Sequence, residues 1–589
     1  MDSTNKSAEY DFVVVGGGTA GNAVAGRLAE NPSVTVAIVE AGAGDTKDID
    51  MVTTPARAFE IRGSKYDWNF KATFVDRPDY TRVEKPHTRG KLLGGSSIGN
   101  YYTWVRGSKG TIDDWEEFGG PEWNWNQCEE YFNKPATYHD DRAELNPVLA
   151  KMNRNGPLNI SVSDMVPELQ PFRDALTSAW VSKGGVLREN IYEGTQEGLV
   201  KNLNSIYKGV RTTSVEYLTG KSNITIVAKT EVVKVIIADG IATGIEVLDA
   251  EGNTSTINAR REVIVAAGAF QTPHLLMLSG IGPKDHLDAY AIPCLVDSKH
   301  VGQNLLDHPI MPHVFKFKTP VGLDHHLLQN TLEKQAAQAA YQRDRSGPLN
   351  SGLLELIAFP RIDQRLEKYP EYRKAKEANG GMDPFGPDGQ PHFEIDFVPM
   401  FSDAFQFHFP APADGSDCLT VIVDLLRPLS KPGEIRLQSA DHKVQPYINE
   451  NFLENDLDIL GLREGVRYID DILMNGEGMK DILGEDYPWP MPRTSDEAMN
   501  RQILERCQTG YHPCGTARLG KDIGQGVVDA HLKVYGVSRL RVIDASVFPV
   551  IPDCRIQNDV YMVAEKGADM IKAEHEDLYK VEWSAKVVG

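Results

Sequence analysis

Arg555 lies within residues 552–559 (PDCRIQND), directly before a run of apolar residues at i, i+3 and i+4 spacing. That spacing predicts an amphipathic helix that starts near Asn558 or Asp559. The positive end of a helix dipole attracts anions, and arginine adds a permanent charge whose guanidinium can clamp a carboxylate with two parallel N–H···O bonds. The segment therefore predicts an anion-binding position.

A second chemical pattern opens the chain, where an apolar strand runs into Gly16-x-Gly18-x-x-Gly21 and a helical stretch. Gly16 allows a tight turn, Gly18 lets a pyrophosphate approach the backbone, and Gly21 permits close packing of helix on strand. Glu40 ends the next strand, VTVAIVE, and can accept hydrogen bonds from ribose hydroxyls. Strand, glycine motif, helix, strand and acid in this order predict a dinucleotide site.

A loop of small residues, RGKLLGGSSIGN, occupies positions 89–100. Its residues 94–97 (GGSS) offer backbone donors that suit a phosphate or a planar ring. Taken alone, such a run is equally typical of a flexible turn. The loop becomes informative only together with the elements around it.

The elements that must position these residues are spread along the chain. Residues 222–267 alternate in polarity and break at Asp-Gly and Glu-Gly, which predicts hairpins followed by a buried strand and a helix. Residues 311–500 contain long polar stretches and look like a different unit. We therefore expect one nucleotide-binding domain assembled from separated pieces and a second unit beside it.

Length and charge limit the classes of protein to consider. A chain of 589 residues is too long for one compact core, which predicts two large or interleaved domains. The net charge of −21, without a basic cluster, argues against a nucleic-acid partner. The six cysteines form no CxxC pairs, so neither a disulfide framework nor a metal site is predicted.

The sequence also predicts no targeting signal and no membrane span. No stretch approaches 18 uninterrupted apolar residues, and the N-terminal residues lack a basic region followed by an apolar one. The last residues, VVG, are not a peroxisomal signal of the SKL type. The expectation is an intracellular, cytoplasmic protein with no membrane contact, and the sequence leaves its oligomeric state open, a homo-oligomer included.

Several segments together resemble the glucose–methanol–choline (GMC) oxidoreductases. They are the unit from Gly16 to Glu40, RGKLLGGSSIGN, GAFQTPHLLMLSGIGP, VGQNLLDHP, HPCGTARLG and LRVIDASVFP, in the order expected of that family. The resemblance spans nearly the whole chain. It implies an α/β protein with a Rossmann-like FAD-binding domain of discontinuous segments and an α+β substrate domain with an antiparallel sheet.

The same resemblance implies domain limits and site residues. The FAD-binding domain would take residues 1–160, 201–310 and 511–589, and the substrate domain residues 161–200 and 311–510. His512 and Arg555 would be catalytic. The residues implied to contact FAD are Gly16, Gly18, Thr19, Ala20, Gly21, Glu40, Ala41, Arg89, Gly94, Gly95, Ser96, Asn100, Val232, Tyr511, Asp544, Ala545 and Gln557. Gly99 departs from the apolar residue usual before the asparagine.

Arg555 is the informative departure from the family pattern. The family usually has His or Asn at this position, ten residues before the glutamate of the AEK segment, here Glu565. Alcohol oxidation needs a base to take the O–H proton, and a guanidinium cannot be that base. It can orient a carboxylate whose C–H points at the flavin, and the smallest such substrate is formate, which gives CO2 with no hydroxyl proton to remove.

The pairing of His512 with Arg555 is similar to that of formate-oxidising members of the family, which implies 8-formyl FAD and O2 as the acceptor, with H2O2 as product. A protonated His512 would add a second cation and stabilise charge that develops during reoxidation. Three alternatives stay open. In the first, Arg555 is a structural residue that pairs with Asp553 or Asp559. In the second, the substrate is a hydroxy acid and His512 is the base, and in the third, the protein is a flavin-bound lyase.

Overall fold

The computed structural model of the protein describes residues 8–81, 83–141, 147–152, 154–162, 166–402 and 409–580. The chain ends, on which the predictions about targeting signals rest, lie outside these ranges. Among the described helices, none has both the length and the apolar character that crossing a bilayer demands.

A seven-stranded sheet draws its strands from three separate stretches of chain. In order across the sheet they are Ile224–Val227, Val36–Val39, Ala8–Val15, Thr254–Val265, Ile241–Leu248 and Glu231–Ala238, with Leu540–Val542 also beside Thr254–Val265. The central strands are parallel, and residues 12–15 and 36–39 are buried throughout. The predicted discontinuous nucleotide domain and its hairpins are confirmed.

Two helices, one near each end of the chain, pack against each other beside this sheet. The helix Thr19–Leu28 follows the first strand, and a Cβ on Gly21 would lie only 2.0 Å from the carbonyl oxygen of Gly16. The C-terminal helix spans Gln557–Glu574 and packs against it. It begins one residue earlier than the predicted start at Asn558, a difference within the usual fraying of helix ends.

An eight-stranded, mostly antiparallel sheet forms the second unit. In order its strands are Leu483–Tyr487, Pro309–Phe317, Cys418–Leu425, Phe393–Val398, Leu356–Phe359, Gly198–Lys201 and Leu187–Arg188, with Gln508–Thr509 also beside Pro309–Phe317. The helix Asp456–Asn475 covers one face, where Gly465 meets the ring of Phe393. Because side chains alternate along a strand, Glu394 and Asp396 point to the opposite face.

Smaller sheets connect these two units. One has the order Gln303–Leu305, Gly433–Arg436, Tyr447–Phe452, Phe70–Val75 and Glu84–His87. Another has Ala136–His139, Leu158–Val162 and Leu203–Asn204, and two pairs are Ile206–Tyr207 with Val210–Arg211 and Ile281–Gly282 with Val296–Asp297. The α/β fold class is confirmed, while the exact domain limits stay a prediction.

The other α-helices are short or lie on the outside of these sheets. They are Asp50–Thr53, Ser96–Gly99, Lys109–Asp113, Glu116–Gly119, Trp125–Asn133, Pro147–Met152, Gln170–Ser182, Gly268–Leu278, Lys284–Ala289, Asp324–Leu327, Leu332–Asp344, Asp363–Leu366, Pro370–Ala378, Met479–Ile482, Asp496–Arg506 and Glu576–Tyr579.

Candidate active site

A cavity of about 770 Å³ lies between the glycine loops of the seven-stranded sheet and the inner face of the eight-stranded sheet. Most of the sequence-predicted site residues line it, although they come from distant parts of the chain. They are Gly16, Gly18, Thr19, Ala20, Glu40, Ala41, Arg89, Gly95, Ser96, Asn100, Val232, Tyr511, His512, Asp544, Ala545, Arg555 and Gln557. The structure thus brings both candidate catalytic residues into one site.

Gly21 and Gly94 are the two predicted cofactor residues that do not line the cavity. Gly21 is buried in the first helix against Gly16. Gly94 has a φ of +106°, and its amide donates a hydrogen bond of 2.6 Å to the carbonyl oxygen of Gly17. Both glycines therefore shape the loops that other residues present to the cavity.

The two glycine loops approach each other closely at one end of the cavity. A Cβ on Gly95 would lie 2.7 Å from the Cα of Gly18, so only glycine fits there. Glu40 is buried beside them and accepts hydrogen bonds from the amides of Gly17 (3.0 Å) and Gly42 (2.7 Å). Its carboxylate keeps further lone pairs for a ribose hydroxyl. This end of the cavity suits an adenosine diphosphate group.

The loop that carries His512 is held by a buried carboxylate, Asp307. One of its oxygens accepts from the amides of His308 (2.7 Å) and His512 (2.9 Å), and the other accepts from the hydroxyl of Thr509 (2.5 Å). Arg89 donates to the carbonyl oxygen of Tyr511 at 2.7 Å. These bonds fix the backbone on both sides of His512 and hence the position of its ring.

The ring of His512 meets a second histidine. Its Nδ1 lies 2.9 Å from Nδ1 of His308, with the rings edge to face. Burial and the facing ring of His308 lower the pKa of His512 to about 3, and burial lowers the pKa of His308 to about 4. Both rings are neutral at neutral pH, so the second cation expected from a protonated His512 is not present.

Arg555 is held by carboxylates of the eight-stranded sheet. Its Nε lies 2.7 Å from Oε1 of Glu394, one terminal nitrogen contacts Oδ2 of Asp396, and the other donates to the hydroxyl of Thr103 at 3.1 Å. The backbone amide of Arg555 also donates to Glu394. The guanidinium is therefore fixed in orientation at the cavity wall.

The alternative in which Arg555 pairs with Asp553 or Asp559 is wrong. Asp553 accepts a hydrogen bond of 2.7 Å from the amide of Ser108, and Asp559 accepts from the amide of Gly107 at 3.3 Å. Both acids thus fix a backbone loop, and the carboxylate partners of Arg555 come from the eight-stranded sheet.

Three acidic residues of the site were missed by the sequence reasoning: Glu394, Asp396 and Asp424, called here the acidic trio. All are buried, and Asp396 and Asp424 line the cavity. The strand FEIDF places two acids at i and i+2 between apolar residues, and CLTVIVDL contains a lone acid. A buried charge in an otherwise apolar strand was the available signal.

Comparison with known proteins identifies the fold. Family models described as GMC oxidoreductase match residues 10–310 and residues 428–564, well over half of the chain. The chain belongs to the GMC oxidoreductase family. Like its family, this GMC oxidoreductase depends on FAD, and the close glycine loops and the buried acceptor Glu40 fit that cofactor.

Relatives of this GMC oxidoreductase differ in their reactions. A crystal structure of formate oxidase is 56% identical, with a TM-score of 0.96 over 97% of this chain and 100% of that one. A variant of Aspergillus oryzae RIB40 formate oxidase, studied for FAD modification, is also 56% identical, with a TM-score of 0.96 over 98% and 100%. Dehydrogenase pkfF of Emericella nidulans is 29% identical over 96% of this chain and 94% of its own.

Proposed function

We propose that this GMC oxidoreductase is a formate oxidase that converts formate and O2 to CO2 and H2O2. The observation that carries the proposal is Arg555, a fixed guanidinium at the wall of the cavity that His512 also lines. The formate oxidase neighbour at 56% identity supports it. When bound, FAD accepts a hydride from the substrate and is reoxidised by O2, and we extend the proposal to its 8-formyl form.

Arg555 keeps the donors that a carboxylate needs. A guanidinium has five N–H groups, and among the described residues three are used, by Glu394, Asp396 and Thr103. The two that remain lie one on each terminal nitrogen. Such a pair can bind both oxygens of formate and aim its C–H away from the guanidinium, which supplies orientation without a proton acceptor.

His512 would hold the substrate from another side. In the neutral state set by burial and His308, Nδ1 of its ring faces Nδ1 of His308, which leaves Nε2 as the nitrogen that can hydrogen-bond to the substrate. Because formate has no O–H proton, the ring has no proton to remove from it and can act by position and hydrogen bonding alone. The fixed loop between Thr509 and Pro513 supports that role.

One observation favours a second candidate function. A neutral His512 is also competent to take a proton from a hydroxyl group, so a 2-hydroxy acid could place its carboxylate on Arg555 and its O–H on His512. In that reaction the carbon next to the carboxylate would give the hydride. The two candidates differ in whether formate or glycolate reduces the flavin.

The test is anaerobic mixing of the purified holoenzyme with formate, glycolate or a cyanohydrin. We expect formate alone to bleach the flavin absorbance, and H2O2 to appear when air is admitted. Bleaching by glycolate but not by formate would support the hydroxy-acid reaction. Release of an aldehyde from the cyanohydrin, without bleaching by any compound, would support a lyase and exclude both oxidases. The mass of the extracted cofactor tests the 8-formyl group.

A further inference from the structure

The acidic trio gives the cavity more negative charge than Arg555 can balance. Glu394 and Asp424 lie directly opposite each other on paired antiparallel strands, and Asp396 is two residues along. Carboxylate oxygens of the three come within 4.8 Å of one another. With all three ionised, one positive and three negative charges give the group a net charge of −2, in a region where water is largely excluded.

Two oxygens of the trio, on the two residues that line the cavity, have no hydrogen-bond partner among the described residues. Oδ1 of Asp396 and Oδ1 of Asp424 accept no hydrogen bond from any described residue, although both side chains are at least 98% buried. Asp396 at least contacts Arg555 through its other oxygen. Asp424 has no such cation, so it is the member of the trio whose charge is least compensated.

The chemistry of formate oxidation requires a proton that the substrate does not bring. An alcohol gives up its hydroxyl proton together with the hydride, so alcohol oxidation by O2 is balanced in protons. Formate loses only a hydride, and the balanced reaction is HCOO− + O2 + H+ → CO2 + H2O2. Each turnover therefore brings one anion into the cavity and delivers one proton to the peroxide formed there.

We propose that Asp424 takes up one proton when the formate anion binds and yields that proton to the H2O2 that leaves. The inference rests on the proposed function. Protonation converts the unpartnered carboxylate into a neutral O–H donor, which removes one negative charge just as the anion adds one. The trio, Arg555 and the bound anion together thus keep the net charge that the trio and Arg555 have before the anion binds.

The surroundings of Asp424 agree with this role. The charged groups that face it are Glu394 and Asp396 from the adjacent strand and Asp307 from the loop under His512. Burial, followed by repulsion from Glu394 and Asp307, raises the pKa of Asp424 well above its usual range. A further anion nearby raises it more, because it penalises the charged form again.

The first test counts protons with nitrate, a planar anion that carries no hydride and is not itself protonated near neutral pH. Calorimetric titration of the oxidised holoenzyme in buffers of different ionisation enthalpy, repeated across a pH series, should give an uptake that rises from near zero below the pKa of free Asp424 to about one proton per nitrate above it. Above the pKa of Asp424, nitrate affinity should fall about tenfold per pH unit, because deprotonation opposes anion binding. Zero uptake with pH-independent affinity would overturn the proposal without any variant.

Two substitutions locate the proton. Asp424→Asn has nearly the same shape but cannot take up a proton, so nitrate should bind with no uptake and with little pH dependence. The matched control is Asp458→Asn, a buried carboxylate bound by the amides of Leu429 and Ser430 and absent from the cavity lining. Asp458→Asn should still take up about one proton per nitrate. Full uptake in Asp424→Asn would overturn the assignment to Asp424.

A second measurement follows delivery of the proton. Holoenzyme reduced by dithionite is mixed with O2, and the return of flavin absorbance is timed. Asp424→Asn should reoxidise at least about 10-fold more slowly than wild type at neutral pH, whereas Asp458→Asn should match wild type. Equal rates for Asp424→Asn and wild type would overturn delivery by Asp424. Neither measurement uses formate, so failure of formate to bleach the flavin rejects the proposed function separately.

Discussion

Nε of Arg555 lies 2.7 Å from Oε1 of Glu394, and both side chains are buried between the two domains. The C-terminal segment that carries Arg555 belongs to the FAD-binding part, whereas Glu394 lies on the sheet of the second unit. The guanidinium is therefore oriented by a residue that the family motifs do not include, and in the proposed reaction this residue also sets the orientation of the substrate.

Glu394→Gln should lower kcat/KM for formate by about 10-fold to 100-fold, because the guanidinium loses a charged partner that fixes its plane. FAD content should be unchanged. Steady-state kinetics with formate check this. Glu355→Gln is the control, since Glu355 forms an equally buried pair with Arg173 at 2.5 Å outside the cavity. Equal losses in both variants would show a general effect of removing a buried charge.

His308→Gln should raise the pKa of His512 above about 3, because the facing ring of His308 is the second cause, after burial, of its low value. The rise should be partial, since burial remains. Titration of the ring by NMR on protein with labelled histidine measures it. His139→Gln, which changes a histidine stacked on Tyr207 elsewhere, should leave that titration unaltered. A downward shift in His308→Gln would contradict the account.

Gly95→Ala should yield protein with little FAD, because the added Cβ would lie 2.7 Å from the Cα of Gly18, where the two loops meet. The ratio of flavin to protein absorbance checks this. The control is Gly63→Ala. Gly63 also has a positive φ, +65° compared with +49° for Gly95, but a Cβ on Gly63 would meet nothing within 4 Å. That variant should keep its FAD and lose only about 1 kcal/mol of stability. Normal FAD content in Gly95→Ala would contradict the close approach.

Glu565→Gln should reduce the free energy of unfolding by about 3 kcal/mol, because it leaves Arg27 without its buried partner. Arg27 donates to both carboxylate oxygens of Glu565 at 2.8 Å, which ties the helix Thr19–Leu28 to the helix Gln557–Glu574, and Tyr217 also donates to Glu565. Denaturant unfolding measures the loss. Glu30→Gln removes the exposed partner of the same arginine and should cost less than about 1 kcal/mol. Equal losses would refute the structural role of Glu565.

Local patterns predicted the cofactor end of the site well. The run from Gly16 to Glu40 is contiguous, and each glycine has a backbone reason that can be read from its position. The close packing expected at Gly21 is what the structure shows, since a Cβ there would lie 2.0 Å from the carbonyl oxygen of Gly16.

The substrate end could not be read in the same way. Asp424 and Glu394 are 30 positions apart in the chain and lie opposite each other only because their two strands pair in a particular register. The sequence does not specify that register. For the same reason the sequence suggests only chain neighbours, Asp553 and Asp559, as partners of Arg555, whereas its carboxylate partners lie on the eight-stranded sheet. His308 and His512 are likewise 204 positions apart in the chain, and only the fold brings them into contact.

The central claim, that Arg555 makes formate the substrate, is tested most directly by the rate of anaerobic flavin bleaching with formate. Wild-type holoenzyme and Arg555→Ala of equal FAD content are compared. We expect bleaching of the wild type by formate and a rate at least about 100-fold lower in the variant, which loses both N–H donors to the carboxylate. Bleaching of Arg555→Ala at the wild-type rate would contradict the claim.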